Sequence, residues 1–143
     1  MNQDEMKSLM RKFYSLFEAS SPLTPGDICS SNYVDHMPHP GPTHLEGLIG
    51  TANMIRAAFP DATCTPQQLL VDGDKVIGVN RFEGTNTGPL MGGPATNKKV
   101  VMNTIDVCRV ENGKIAEIWH VEDMLGLLIQ LGVVQPPGGG PAH

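Results

Sequence analysis

The chain has 143 residues, of which 40% are hydrophobic and 17% charged, and its formal net charge is −5. This length suits one globular domain with a core of its own. The acidic balance disfavours nucleic acid as a partner, because its phosphates repel a negative surface. No apolar run approaches the roughly 20 residues that span a bilayer, so a membrane is not expected as a partner either.

The first 60 residues carry helix signals. Apolar residues over 6–17 recur at spacings of three and four, which predicts a helix with one buried face, and Asn2 with Glu5 can cap its start. This amphipathic pattern differs from that of a secretory signal. A second helix is predicted over 24–34, opened by a Thr-Pro-Gly-Asp capping sequence, and a third over 43–59.

After residue 60 the period of the apolar residues changes from 3.6 to 2, which is typical of strands. Two hairpins are predicted, 63–71 with 75–85 and 100–110 with 114–121. A closing helix is predicted over 124–131. Residues 133–143 are rich in proline and glycine, so we expect a domain over 1–132 followed by a flexible tail.

Helices followed by an antiparallel meander predict an α+β domain with its helices packed on one face of the sheet. A curved sheet wrapped around a helix leaves a cone-shaped pocket in which a small ligand can bind. The three cysteines, Cys29, Cys64 and Cys108, are far apart and form no CxxC pair. Reduced thiols in a cytoplasmic protein are therefore expected.

Three segments carry a shared family pattern. Residues 84–100, GTNTGPLMGGPATNKKV, match a hairpin loop of the form GTxTGxxxGxPxxxKxV, and residues 106–119, DVCRVENGKIAEIW, match a strand pair. Residues 123–132 match a closing helix. In these segments the chain resembles the SnoaL-like polyketide cyclases, a branch of the nuclear-transport-factor-2-like superfamily. The resemblance implies a cone-shaped fold and a cyclase, although this fold hosts many functions.

The clearest candidate for chemistry is a pair of residues on the second hairpin. Strand alternation across the Asn112-Gly113 turn brings Asp106 near His120. A carboxylate beside an imidazole can fix its tautomer and raise its basicity, which suits a general base near neutral pH. The alternative is a satisfied buried polar pair without chemistry. Where the family often has E-x-W-D, this chain has His120, so the acid/base role falls to His120 or, with a shifted alignment, to Asp123, which otherwise caps the last helix.

Several residues are candidates for binding the substrate. Asn53, Tyr14, Tyr33 or Thr104 can donate a hydrogen bond to a carbonyl or to a developing enolate oxygen. For the two tyrosines the alternative is packing in the core.

Charged and basic side chains complete the candidates. His36 is expected at the mouth of the pocket. Arg81 offers a guanidinium for epoxide chemistry, or is a surface charge paired with Glu83. His36, His39 and His44 crowd one loop, but their spacing fits no helix face and no carboxylate accompanies them, so no metal site is predicted.

The chain lacks a phosphate loop, a dinucleotide fingerprint and a nucleophile elbow. We therefore expect that an enzyme of this sequence works without a cofactor, by moving protons. The resemblance implies a cyclase or isomerase, of the lyase or isomerase class, whose small, apolar carbonyl substrate is polyketide- or terpenoid-like. The alternatives are an epoxide hydrolase or epoxide-opening cyclase, and a non-catalytic small-molecule binding or dimerisation module. A homodimer through the outer sheet face is expected, because Ile115, Trp119 and Val121 are apolar on the side away from His120.

Overall fold

The computed structural model describes residues 1–37 and 41–139. Its helices are α1 (Gln3–Ser15), α2 (Pro25–Ile28), α3 (Leu45–Ala58) and α4 (Met124–Leu131). Its strands are β1 (Cys29–Asp35), β2 (Thr63–Asp72), β3 (Lys75–Thr85), β4 (Lys99–Glu111) and β5 (Lys114–Glu122). Within the described ranges, no helix is both long enough and apolar enough to cross a membrane.

The five strands form one curved sheet in the order β1-β5-β4-β3-β2. The two predicted hairpins are confirmed, and β3 pairs antiparallel with β4. Asn112 and Gly113 have φ angles of 51° and 76°, the left-handed values that a type I′ hairpin turn requires. β1 pairs parallel with β5, so the sheet is mixed rather than the expected antiparallel meander.

The helices follow their sequence signals closely at their starts. Asn2 and Glu5 form the predicted capping box of α1. The N-cap of α3 is His44, one residue after the predicted start, and α4 has the predicted bounds. α1 packs on β2 and β3, α3 on β1, and α4 on β4, which confirms the α+β class.

The predicted helix over 24–34 was wrong. Its capping sequence opens only the short α2, and the chain then becomes β1. Cys29 and Tyr33 are the buried residues of this strand, and a spacing of four is compatible with one face of a helix as well as with one face of a strand. Serine and asparagine, the residue types at positions 30–32, are weak helix formers. Pairing with β5 therefore decides that this segment forms a strand.

Two apolar clusters cover the helix-facing, inner side of the sheet. The first packs α1 against the sheet and includes Met10, Phe13, Val76, Cys108 and Ile118. The second lies under α4 and the end of α3 and includes Phe59, Phe82, Val100, Met102 and Leu127. Full burial of side chains of this size stabilises the fold by roughly 1.5–3 kcal/mol each.

The structure corrects one residue of the expected outer face. Ile115 belongs to the first apolar cluster and is fully buried. The register of β4 and β5 shifts between Arg109 and Val110, and this bulge turns Ile115 inward. The flexible tail over 133–143 remains a prediction, since residues 140–143 lie outside the described ranges.

Candidate active site

Alternation along β4 carries polar groups into the space between the two apolar clusters. The inward residues of β4 are, in order, Val100, Met102, Thr104, Asp106 and Cys108, and all are buried. Asp106 pairs with His120 of β5, and Thr104 pairs with Glu122. The predicted juxtaposition of Asp106 and His120 on the inner face is therefore confirmed.

Asp106 is the most buried carboxyl group of this region, with 4% of its surface exposed. The Tyr14 hydroxyl donates to its Oδ2 at 2.7 Å, and the Thr104 hydroxyl donates to the same atom at 2.9 Å. Burial raises the pKa of Asp106 to about 6, although the two hydrogen bonds lower it. The negative charge of Glu122 adds to the increase in this pKa, and His120 opposes it.

Tyr14 reaches Asp106 because β3 has no side chain in its way. Gly78 lies beside Asp106 in the sheet, and a β-carbon at Gly78 would lie only 2.2 Å from the Tyr14 hydroxyl oxygen. Burial, followed by the charge of Asp106, raises the pKa of Tyr14 far above its usual value. Tyr14 therefore stays protonated and serves as a hydrogen-bond donor.

His120 is held by two carboxylates that are not Asp106. Its Nε2 lies 2.7 Å from Oδ2 of Asp35, and its Nδ1 is hydrogen-bonded to Glu122. Burial lowers the pKa of His120, but the hydrogen bonds and charges of Glu122 and Asp35 outweigh this effect and raise it to about 9. The prediction of an uncharged imidazole base fixed by Asp106 was therefore wrong, because His120 is an imidazolium at neutral pH.

The site is thus a polar cluster consisting of Tyr14, Asp35, Thr104, Asp106, His120 and Glu122. Ligand atoms of Asp106, His120 and Glu122 lie within 4.8 Å of one another, a spacing that a cation can bridge. Both ring nitrogens of His120 are engaged by carboxylates, and an imidazolium has no lone pair for a metal. This donor set suits proton transfer better than metal binding.

Tyr33 lies near the polar cluster at the end of β1. It is buried, and burial raises the pKa of its hydroxyl well above the usual value, with the charges of Cys29 and Asp35 adding to the effect. Tyr33 belongs to the first apolar cluster, the core packing that the sequence left open as an alternative. A contact between its neutral hydroxyl and a ligand stays a prediction.

His36 is not at the predicted pocket mouth. It follows Asp35 in extended chain, so its side chain lies on the opposite, outer face of the sheet. There its ring stacks on Trp119 with centroids 4.7 Å apart, and its Nε2 lies 2.8 Å from Oε1 of Glu117. His44 occupies the N-cap position of α3 without a side-chain capping hydrogen bond, and His39 lies outside the described residues.

Three further predicted residues lie away from the polar cluster. Arg81 is on the outer face of β3 and pairs with Glu83, the surface alternative that the sequence left open. Asn53 is exposed on α3. Asp123 is exposed and accepts a hydrogen bond from the Gly126 backbone at 2.9 Å, so it acts as the N-cap of α4 rather than as the carboxylate of the site.

Sequence reasoning missed two members of the polar cluster. Glu122 alternates with His120 along β5, a signal that places it on the same face. Asp35 ends a segment that was predicted to be a helix, and only its pairing with β5 brings it to His120.

Two surface depressions of about 260 and 240 Å³ lie near the N-terminus. Met1 and Gly113 line both of them. Neither includes a member of the polar cluster, so the candidate active site is defined by the contacts of the cluster itself.

Helices packed on a five-stranded curved sheet give the protein the nuclear-transport-factor-2-like α+β fold, and the buried carboxyl group of Asp106 and the imidazolium of His120 lie on the inner face of this sheet. A protein of ketosteroid isomerase-like fold from Catenulispora acidiphila shares this architecture, with a TM-score of 0.68 at 17% identity over 88% of this chain and 93% of that one. The family model "SnoaL-like polyketide cyclase" matches residues 7–131. The chain belongs to the SnoaL-like polyketide cyclase family.

Solved structures agree with this assignment. A candidate polyketide cyclase from Bacillus cereus is 33% identical, with a TM-score of 0.79 over 94% of this chain and 87% of that one. TsrD from Streptomyces laurentii is 26% identical, with a TM-score of 0.83 over 94% and 99%. IdmH, a candidate polyketide cyclase from Streptomyces antibioticus, is 30% identical, with a TM-score of 0.74 over 88% and 97%. A search of curated proteins finds no match.

Proposed function

We propose that this protein is a cofactor-independent acid/base enzyme that cyclises or isomerises an apolar, polyketide- or terpenoid-like carbonyl compound, with Asp106 as its proton acceptor. The observation that carries the proposal is the state of Asp106. It is a buried carboxyl group whose pKa is raised to about 6, beside an imidazolium and two hydroxyl donors. A base with a pKa close to the working pH is both ionised and basic enough to accept a proton.

In the first step, Asp106 removes a proton from the carbon next to the substrate carbonyl. The C–H bond breaks, its electron pair enters the enolate, and the proton resides on Asp106. In a cyclisation the enolate carbon then attacks a second carbonyl of the same molecule and forms a C–C bond. Asp106 returns its proton to the new alkoxide, so the enzyme ends in its initial state. In an isomerisation it returns the proton to another carbon.

His120 contributes charge rather than basicity to this scheme. Both of its N–H groups are committed to Asp35 and Glu122, so it is not free to exchange a proton readily. Its positive charge favours the ionised form of Asp106 and stabilises an enolate that forms next to it. Asp35 and Glu122 act through His120, as positioning residues that keep it protonated.

The two rival functions have less support. Epoxide opening by the set predicted from the sequence needs a guanidinium, but Arg81 is paired with Glu83 on the outer face. A purely structural or binding module has no need of five ionisable side chains grouped between two apolar clusters, where desolvation disfavours charge.

The proposal is tested with 1-tetralone, an apolar bicyclic ketone whose α-protons exchange slowly in water. In D₂O the protein should accelerate their exchange, as followed by NMR. Asp106→Asn should lower the protein-dependent rate on the order of a hundredfold or more, and the surface variant Arg81→Gln should leave it unchanged. Equal rates for the parent protein and Asp106→Asn would overturn the assignment of Asp106.

A further inference from the structure

Asn80 lies in the middle of β3 and takes no part in the polar cluster. It pairs with Thr104 across the sheet and lies two residues from Gly78, against which the Tyr14 hydroxyl packs. Only 2% of its surface is exposed. Asn80 therefore extends the polar section of the inner face from β4 onto β3.

The amide oxygen of Asn80 is unusual. Among the buried side-chain nitrogens and oxygens of residues 1–37 and 41–139, Oδ1 of Asn80 is the one that has no hydrogen-bond partner. A buried carbonyl oxygen without a donor destabilises the folded state, and the great majority of such atoms in native proteins are paired. A leucine or a methionine would fill this position in an apolar core without that cost.

The neighbouring donors are already engaged. The hydroxyls of Tyr14 and Thr104 both donate to Asp106. Asn80 also lies near the Cys64 thiol, since hydrogen bonding by Asn80 opposes the increase by which burial raises the pKa of Cys64 to about 12. Oδ1 of Asn80 nevertheless has no hydrogen-bond partner.

We propose that Oδ1 of Asn80 accepts a hydrogen bond from a hydroxyl group of the substrate, so that the enzyme selects carbonyl compounds that also carry a phenolic or enolic hydroxyl. That the ligand is a substrate rests on the proposed function. The selection of ligands that carry a hydroxyl group does not, because it is a property of binding alone. A site built around an unpaired acceptor rejects a ligand that lacks the donor, because the acceptor then stays buried and unpaired.

Two probes of similar shape test the inference without turnover. 2-Naphthol carries a hydroxyl donor, and 2-methoxynaphthalene carries only an acceptor in its place. By calorimetry the parent protein should bind 2-naphthol about tenfold more tightly or better, and the NMR signal of the Asn80 side-chain amide should shift on its addition. Asn80→Leu keeps a similar volume and removes the acceptor, so the two probes should bind within about twofold of each other.

Asp106→Asn is the matched control. It should retain the preference for 2-naphthol while it loses exchange of 1-tetralone, which separates the role of Asn80 from that of Asp106. Asn80→Leu should also unfold at a temperature a few degrees higher, because an unpaired polar atom has been removed. Equal affinity of the parent protein for both probes would overturn the inference and would indicate that a bound water satisfies Asn80. A preference for 2-naphthol that survives in Asn80→Leu would overturn it as well.

Discussion

Oδ2 of Asp35 lies 2.7 Å from Nε2 of His120, and this contact joins the end of β1 to β5 across the parallel edge of the sheet. With Glu122 on the other ring nitrogen, it makes His120 a half-buried cation beside the proposed base. Asp35 itself accepts no proton in the proposed reaction. Strand β1 therefore contributes to the site by helping to keep His120 charged.

Removal of the Asp35 carboxylate should lower the pKa of His120. In Asp35→Asn the imidazole keeps only Glu122 as an anionic partner, and we expect its pKa to fall from about 9 by on the order of one unit. An NMR titration of the ring protons measures the change. His36→Gln on the outer face is the control and should leave the His120 titration in place. An unchanged pKa in Asp35→Asn would show that Glu122 alone holds the proton.

The free energy of unfolding should decrease in alkaline solution. The pKa of His120 is raised from 6.5 to about 9 in the folded protein, so the folded state keeps a proton that the unfolded chain releases. The resulting stabilisation is fully present below pH 6.5 and is lost as the pH rises through 9. It should be on the order of 3 kcal/mol, because a pKa difference of one corresponds to about 1.4 kcal/mol. Urea unfolding from pH 6 to 10 measures it, and His120→Gln should lack this component.

The exchange of 1-tetralone should increase with pH through about 6. Asp106 must be ionised to accept a proton, and its pKa is raised to about 6, so activity is lost as the pH falls below that value. Asp106→Asn and His120→Ala should each reduce the rate about a hundredfold or more. The double variant should lose less than the product of the two effects, because the residues act as one unit. Multiplicative losses would indicate independent roles.

Tyr14→Phe should move the acid limb of this profile to higher pH. The Tyr14 hydroxyl stabilises the ionised form of Asp106 and lowers its pKa, so its removal raises that pKa above 6. Thr104→Val should act in the same direction. Tyr33→Phe is the control and should leave the limb where it is. A limb that stays near pH 6 in Tyr14→Phe would mean that its hydroxyl does not act on Asp106.

The outer face of the sheet should join two copies of the chain. Three apolar side chains on this face are largely exposed: Ile105 by 54%, Val121 by 65% and Leu70 by 55%. An exposed apolar patch on a sheet face favours burial against a partner. Val121→Glu should dissociate the dimer by light scattering at micromolar concentration, whereas Leu125→Glu, at an exposed site on α4, should not. A monomeric parent protein would exclude this interface.

The pairing of Asp106 with His120 could be predicted because alternation and the Asn112-Gly113 turn both act over short stretches of chain. The charge of His120 could not, because it depends on Asp35, which is 85 residues away. The sequence before Asp35 favours a helix, because the capping sequence of α2 precedes it and the spacing of Cys29 and Tyr33 fits a helix as well as a strand. Asn80 was equally hidden, because an unpaired oxygen is a property of the packed structure alone.

The two contacts that define the proton site span almost the whole domain. Tyr14 and Asp106 are 92 residues apart, and Asp35 and His120 are 85 apart. Contacts of such separation form late, since closing long loops costs entropy before any contact stabilises them. A ribosome must therefore release most of β5 before the cluster can assemble. Until then the nascent chain holds its carboxyl groups in water, with ordinary acidity, and the reactive centre comes into being only when the first and last parts of the domain have met.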